Sequence, residues 1–160
     1  MAREYSAAEL RNLESVRRMM SPPPGFDIMT LFAEDAVWWN GLPRLHAPGA
    51  SCEHRGIEAI RAIVSGSAKD RRDLGIDAYD LSTTRYENVI EVVDGDRVVR
   101  QQTMYAKTQS GRDYCNVYCF VFEFDANGRI VYLTEHWNTW YADRFLFDQV
   151  APTPPRAGWS

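Results

Sequence analysis

The chain has 160 residues, 45% of them hydrophobic and 25% charged, the composition of one globular domain and not of a disordered segment. Its formal net charge is −4 with Lys and Arg scattered, so the basic footprint of a nucleic-acid binder is missing, and no apolar run is long enough to span a bilayer. The first twenty residues are charged throughout, unlike a secretory signal, and read as the start of the fold.

Ser6 followed by Glu9 is a capping box, and Leu10, Leu13, Val16 or Arg17, and Met20 then recur at helical spacing. This first helix must end at Pro22-Pro23-Pro24-Gly25, since proline lacks the N–H and restricts its predecessor. A short second helix is predicted from Asp27 to Ala33, with Ile28, Leu31 and Phe32 on one face, and then a strand over Ala36-Val37-Trp38-Trp39-Asn40. Gly41 to Arg55 has two prolines and two glycines and no sustained period, so it reads as a long loop that covers a pocket. Ile57, Ile60, Ile63 and Val64 mark a third helix, which frays into the charged run from Lys69 to Asp73.

From Tyr79 the pattern changes to four strands divided at Asp94-Gly95, Ser110-Gly111 and Asn127-Gly128, a meander. Helices followed by adjacent antiparallel strands predict an α+β layer fold, with helices on one face of a strongly bent sheet. One domain over residues 1–150 is expected, ending in a short helix from Tyr141 to Asp148, with an extended tail over residues 151–160.

Cys115 and Cys119 lie four apart in one strand, about 13 Å, too far for a disulfide, and read as half-buried thiols of a cytoplasmic protein. His46, His54 and His136 share no ligand spacing with them, so no metal site is expected.

Alternation sorts each strand into two faces. Arg100, Gln102 and Met104 fall together, as do Asn116, Tyr118, Phe120 and Phe122, and in the last strand Val131, Leu133, Glu135 and Trp137 oppose Ile130, Tyr132, Thr134 and His136. Both faces are apolar enough to need covering, one by the helices and the other by a second copy, so a homodimer is expected.

The string from Phe32 to Asn40 (FAEDAVWWN) resembles the opening of the nuclear transport factor 2-like superfamily. Arg55-Gly56-Ile57-Glu58-Ala59-Ile60, Asn127 to Ile130 and Glu135 to Thr139 continue the likeness, which spans about Ala7 to Leu146. The subgroup it looks most like holds SnoaL-like polyketide cyclases, ketosteroid isomerases and limonene epoxide hydrolases. The resemblance implies a cone-shaped fold whose catalytic groups project inward from the first and later strands. Asn40 then falls where the isomerases place a base aspartate and the epoxide hydrolases a water-holding asparagine. Trp38 takes the place of an epoxide hydrolase tyrosine, Arg100 matches an arginine and Glu135 a carboxylate. Gln102 stands where the hydrolases need an aspartate, which counts against simple epoxide hydrolysis, and Asn40 itself counts against steroid isomerisation.

An arginine and a carboxylate are thus expected to face one another in a pocket walled by Trp38, Met104, Tyr118, Phe120 and Trp137. Asn40, Gln102, Asn116 and Tyr118 supply hydrogen bonds for a substrate carbonyl or phenol. The expected function is a cofactor-independent lyase or isomerase acting on a hydrophobic aromatic or cyclic molecule, by retro-aldol cleavage, dehydration or cyclisation. Its catalytic set is Arg100, Glu135, Asn40 and Gln102. Two alternatives stand beside it: epoxide hydrolysis by a water held between Asn40 and Glu135, and a non-catalytic ligand-binding or dimerisation module.

Overall fold

The helix start signalled by Ser6 and Glu9 is present in the computed structural model, which describes residues 3–41, 52–65 and 76–147. Ser6 Oγ accepts the Glu9 amide at 3.2 Å and Glu9 Oε2 accepts the Ser6 amide at 2.8 Å, closing the box at the head of α1 (Ala7–Met20). Glu9 Oε1 also accepts Gly95 N at 3.1 Å, so the cap pins the helix to a turn far along the chain. Leu13, Val16 and Met19 form the buried stripe. Leu10, expected on that stripe, is 53% exposed, because Glu9 and Asn12 occupy the side of the helix that meets the Gly95 turn.

The predicted second helix over 27–33 is a single 3-10 turn, Ile28–Leu31, capped by Asp27, which accepts Met29 N at 3.0 Å. The chain is already extended at Phe32, because pairing with Ile130 draws it into the sheet and buries it. Strand β1 therefore runs Phe32–Trp39, four residues earlier than the sequence suggests. Glu53–Arg55, expected to close the long loop, forms β2 and pairs antiparallel with β1. Helix α2 (Ile57–Ser65) follows, with Ile60 fully buried. The rest of that loop with His46, the charged run at 69–73 and the tail at 151–160 lie outside the described residues.

The meander is β3 (Tyr79–Asp94), β4 (Arg97–Thr108), β5 (Asp113–Phe124) and β6 (Ile130–Trp137), in the curved sheet order β2-β1-β6-β5-β4-β3. Asn138 then caps α3 (Thr139–Ala142), which runs into a wider helical turn over Asp143–Phe147, starting two residues before the predicted helix. Burial alternates strictly in β4 and β5. Even-numbered residues from Val98 to Thr108 and from Tyr114 to Phe124 are buried on the inner face, and odd-numbered ones face outward.

Two irregularities break the simple alternation. In β6, Val131 is an extra residue between the pairs Phe124↔Ile130 and Glu123↔Tyr132, so Ile130 joins Leu133 on the inner face instead of opposing it as expected. In β3, the register shifts between Glu87↔Thr103 and Ile90↔Gln101, at Asn88, whose φ is +52°. That added residue reverses the parity of the strand. Tyr86 and Glu91, five apart, both reach the inner face, opposite Met104 and Arg100.

The left-handed backbone at Asn88 tolerates asparagine or glycine but not a β-branched side chain. Asn88→Val is expected to lower stability by about 1–2 kcal/mol in urea unfolding, with Asn88→Gly within a few tenths of the parent.

Candidate active site

Opposed residues on neighbouring strands share a face, so the registers build the site in rows. Glu91, Arg100, Phe120 and Glu135 form one row across β3, β4, β5 and β6. Gln102, Tyr118 and Trp137 form the next, and Tyr86, Met104 and Asn116 the one after. Trp38 reaches the same face from β1, beside Leu133. Nine of the ten sequence-predicted residues therefore stand on one surface, and the tenth, Asn40, follows β1 directly. Asn40 meets that surface through its backbone, its carbonyl accepting Trp137 Nε1 at 2.6 Å.

Glu135 is the centre of this surface. Trp38 Nε1 donates to Glu135 Oε2 at 3.0 Å, and stacking on Phe32 at 6.3 Å steadies that indole. Oε1 takes no hydrogen bond from the described residues, and the residue keeps partial solvent access. Burial pushes the carboxyl up to about 7, and the single indole donor only partly opposes it.

The expected face-to-face pair of Arg100 and Glu135 does not form. The two are separated by the width of β5, about 10 Å of backbone, and Arg100 turns the other way. Its Nη1 donates to Glu91 Oε1 at 2.5 Å and its Nε to Gln102 Oε1 at 2.7 Å. The other Glu91 oxygen accepts Arg17 Nε at 2.9 Å and Nη2 at 2.8 Å, so one carboxylate ties α1 to the sheet. Arg100 Nη2 remains without a partner among the described residues.

Other polar groups of the predicted set are engaged within the protein. Gln102 gives its oxygen to Arg100 and its nitrogen to Met20 Sδ at 3.8 Å. Asn116, fully buried, binds Tyr114, the Val117 amide and both backbone groups of Asn138. The Tyr118 ring stacks with Phe120 at 5.7 Å along its own strand and with Trp137 at 5.5 Å on the next. His136 lies on the outer face against Trp39 at 5.2 Å, opposite to Glu135 as alternation predicts.

Tyr86, Glu91 and Tyr114 were not singled out from the sequence. Tyr86 stands where both Arg100 and Glu135 act on it: burial raises its hydroxyl pKa, Arg100 opposes the rise and Glu135 adds to it. Nothing in the local pattern of β3 reveals Tyr86 or Glu91, since the Asn88 bulge hides their shared face. Tyr114 was legible, for it shares parity with Asn116 and Tyr118.

Helices lie over a curved six-stranded sheet, and residues 26–133, two thirds of the chain, match the model of the SnoaL-like domain. It belongs to the SnoaL-like domain family, within the nuclear transport factor 2-like superfamily. Among solved structures, a phenazine biosynthesis-related protein from Pseudomonas aeruginosa is similar at TM-score 0.68 and 16% identity, over 100% of this chain and 96% of its own. A protein described as a SnoaL-like polyketide cyclase, from Jannaschia sp. CCS1, gives 0.64 and 16% over 96% and 100%. An NTF2-like protein of unknown function from Burkholderia pseudomallei K96243 gives 0.62 and 21% over 84% and 95%. These likenesses establish the fold. No protein of curated function matches the sequence.

The Glu135 carboxyl holds its proton in the folded state up to about 7, above its ordinary value of 4.5. The unfolded chain loses that proton first, so this group makes stability fall as pH rises between those two values. Glu135→Gln is expected to flatten that part of the stability profile, measured by urea midpoints across the interval.

Proposed function

We propose that the chain is an enzyme that moves a proton on a hydrophobic aromatic or cyclic small molecule lying against the inner face of the sheet, with side chains alone supplying the chemistry. The observation that carries this reading is the Glu135 carboxyl: held by one indole, open at its other oxygen, and poised near neutrality by burial. A carboxylate in that state accepts a proton from carbon or oxygen and returns it without a large energetic mismatch. Phe120 beside it and Tyr118 and Trp137 in the next row give the face apolar surface suited to rings. Arg100 and Arg17 outnumber Glu91, so the far side of the hollow carries one surplus positive charge. That charge favours a substrate that becomes negative as its proton leaves. The neighbours described as a polyketide cyclase and as related to phenazine biosynthesis accord with such substrates.

In this reading Glu135 is the base, Arg100 offers Nη2 to the developing charge, and Trp38 sets the direction of the carboxyl. Glu91 and Gln102 position Arg100. Isomerisation, aldol-type cyclisation and dehydration begin with a proton taken from carbon and differ in what the resulting carbanion does, whereas retro-aldol cleavage begins with a proton taken from a hydroxyl and forms its enolate as the C–C bond breaks.

Deuterium uptake from heavy water into a panel of aryl ketones and cyclic enones, read by mass spectrometry, tests the assignment. Glu135→Gln is expected to slow uptake by roughly a hundredfold or more. Full activity in that variant removes Glu135 from the mechanism. Epoxide hydrolysis would instead place labelled solvent oxygen in a diol product. For the parent, activity is expected to rise with pH through about 7 and then level, as the base ionises. Trp38→Phe removes the donor that favours the charged form, so its profile moves to higher pH.

The outer face supports the expected second copy. Ile90, Val92 and Val117 stand 56%, 55% and 47% exposed there in the single chain. We propose a homodimer through this face, and Val117→Lys is expected to yield a folded monomer by light scattering.

A further inference from the structure

The row of Arg100, Phe120 and Glu135 holds two polar groups that the protein leaves incomplete. Among the described residues, Glu135 Oε1 has no donor and Arg100 Nη2 has no acceptor. The unpaired side-chain atoms sealed from solvent are Asn12 Oδ1, Thr84 Oγ1 and Arg112 Nη1, and neither of these two is among them. Each therefore reaches accessible space, although the Arg100 side chain as a whole is 9% exposed. A guanidinium that is nine-tenths buried and keeps one nitrogen open is placed to receive negative charge.

Both groups share one face of the sheet, yet they are held apart. Arg100 and Glu135 flank Phe120 from β4 and β6, so their backbones are about 10 Å from one another. In the strand order β3 lies beyond β4, and β1 beyond β6. Arg100 leans toward β3, where Nη1 donates to Glu91 at 2.5 Å, and Glu135 leans toward β1, where it accepts Trp38 Nε1 at 3.0 Å. The Glu135 carboxyl registers this separation, since burial and Trp38 account for its shift and Arg100 does not contribute. A contact of about 3 Å at each end leaves roughly 4 Å or more for a substrate to bridge. In a simple ketone the acidic carbon and the oxygen are two bonds apart and cannot touch both groups. A conjugated ring that carries them at opposite ends can.

We propose that the substrate is a vinylogous acid, a conjugated ring compound that gives up its proton to Glu135 at one end and receives the negative charge on an oxygen held by Arg100 at the other. The C–H bond breaks and an O–H bond forms on Glu135, while the electron pair moves through the ring to that oxygen. The ring spans Phe120, which stands between the two groups in the row. Arg100 is then a specificity-determining residue, selecting where the oxygen sits relative to the proton. The assignment rests on the proposed proton transfer and adds the shape of the molecule that undergoes it.

The test uses the full chain and two carbon acids of equal size, 4-nitrophenylacetonitrile and its 3-nitro isomer. Only the 4-nitro isomer can pass its charge through the ring to the nitro oxygens. Deuterium uptake from heavy water at the methylene is read by mass spectrometry, with acetate as the free-carboxylate reference. The 4-nitro to 3-nitro rate ratio with the protein is expected to exceed that with acetate about tenfold, the size of a hydrogen bond to a charged oxygen. Arg100→Gln is expected to slow the 4-nitro isomer roughly tenfold and to leave the 3-nitro isomer within about twofold, whereas a merely structural arginine would slow both alike. A ratio equal to that of acetate, equal slowing of the two isomers, or no uptake above the solution rate each overturns the proposal. The ratio in the parent needs no variant, so it decides alone should Arg100→Gln not fold. If the isomer preference holds while Glu135→Gln leaves uptake intact, only the choice of base has failed. If Glu135→Gln abolishes uptake while the parent ratio matches acetate, the base stands and the substrate class falls.

Discussion

Glu91 accepts Arg17 from the helix through one oxygen and Arg100 from the sheet through the other, and this division sets the charge balance of the whole inner face. A guanidinium under the helix layer needs a partner, since an unpaired buried charge costs several kcal/mol. With Glu91 filling that need, Glu135 two strands away is left with a neutral indole for company. Desolvation then has no strong opponent, and the carboxyl rises to about 7. Had Arg100 paired with Glu135 instead, the acid would be a fixed anion, useful for packing and poor at exchanging protons. The same contact that fastens α1 to the sheet thus leaves Glu135 without a cationic partner.

That arrangement depends on a fault in a strand. Tyr86 and Glu91 are five residues apart, and in regular pleating they would point to opposite faces. The left-handed residue at Asn88 adds one position and brings both inward. A regular β3 would leave either Arg100 without its carboxylate or the inner face without Tyr86. Bulges beside functional surfaces are common for this reason: they re-aim one side chain without rebuilding a sheet.

Legibility in the sequence followed regularity. Spacing alone grouped Arg100, Gln102 and Met104 on one face of β4, and Asn116, Tyr118 and Phe120 on one face of β5, because those strands are unbroken there, while the resemblance turned both sets into one pocket. Glu135 and Trp137 came out together for the same reason, while Ile130 did not, because Val131 interrupts the count. The capping box was local and therefore readable. Strand β2, three polar residues long, has no period to read, and its pairing with β1 is decided by the fold. The partner of Arg100 was hidden for a deeper reason. Ion pairing is chosen across strands, by register and bulge, and no pattern along one strand records it.

Glu9 and Glu135 mark the two extremes of what one side chain can be made to do in this molecule. Glu9 accepts the amides of Ser6 and Gly95 and the guanidinium of Arg3, and those donors hold its carboxyl at about 2, so it stays charged and clamps helix to hairpin. Glu135 has one donor in a desolvated place and sits five units higher, where a proton comes and goes near neutrality. Donors converge where the fold needs a permanent charge and are withheld where chemistry needs a changeable one.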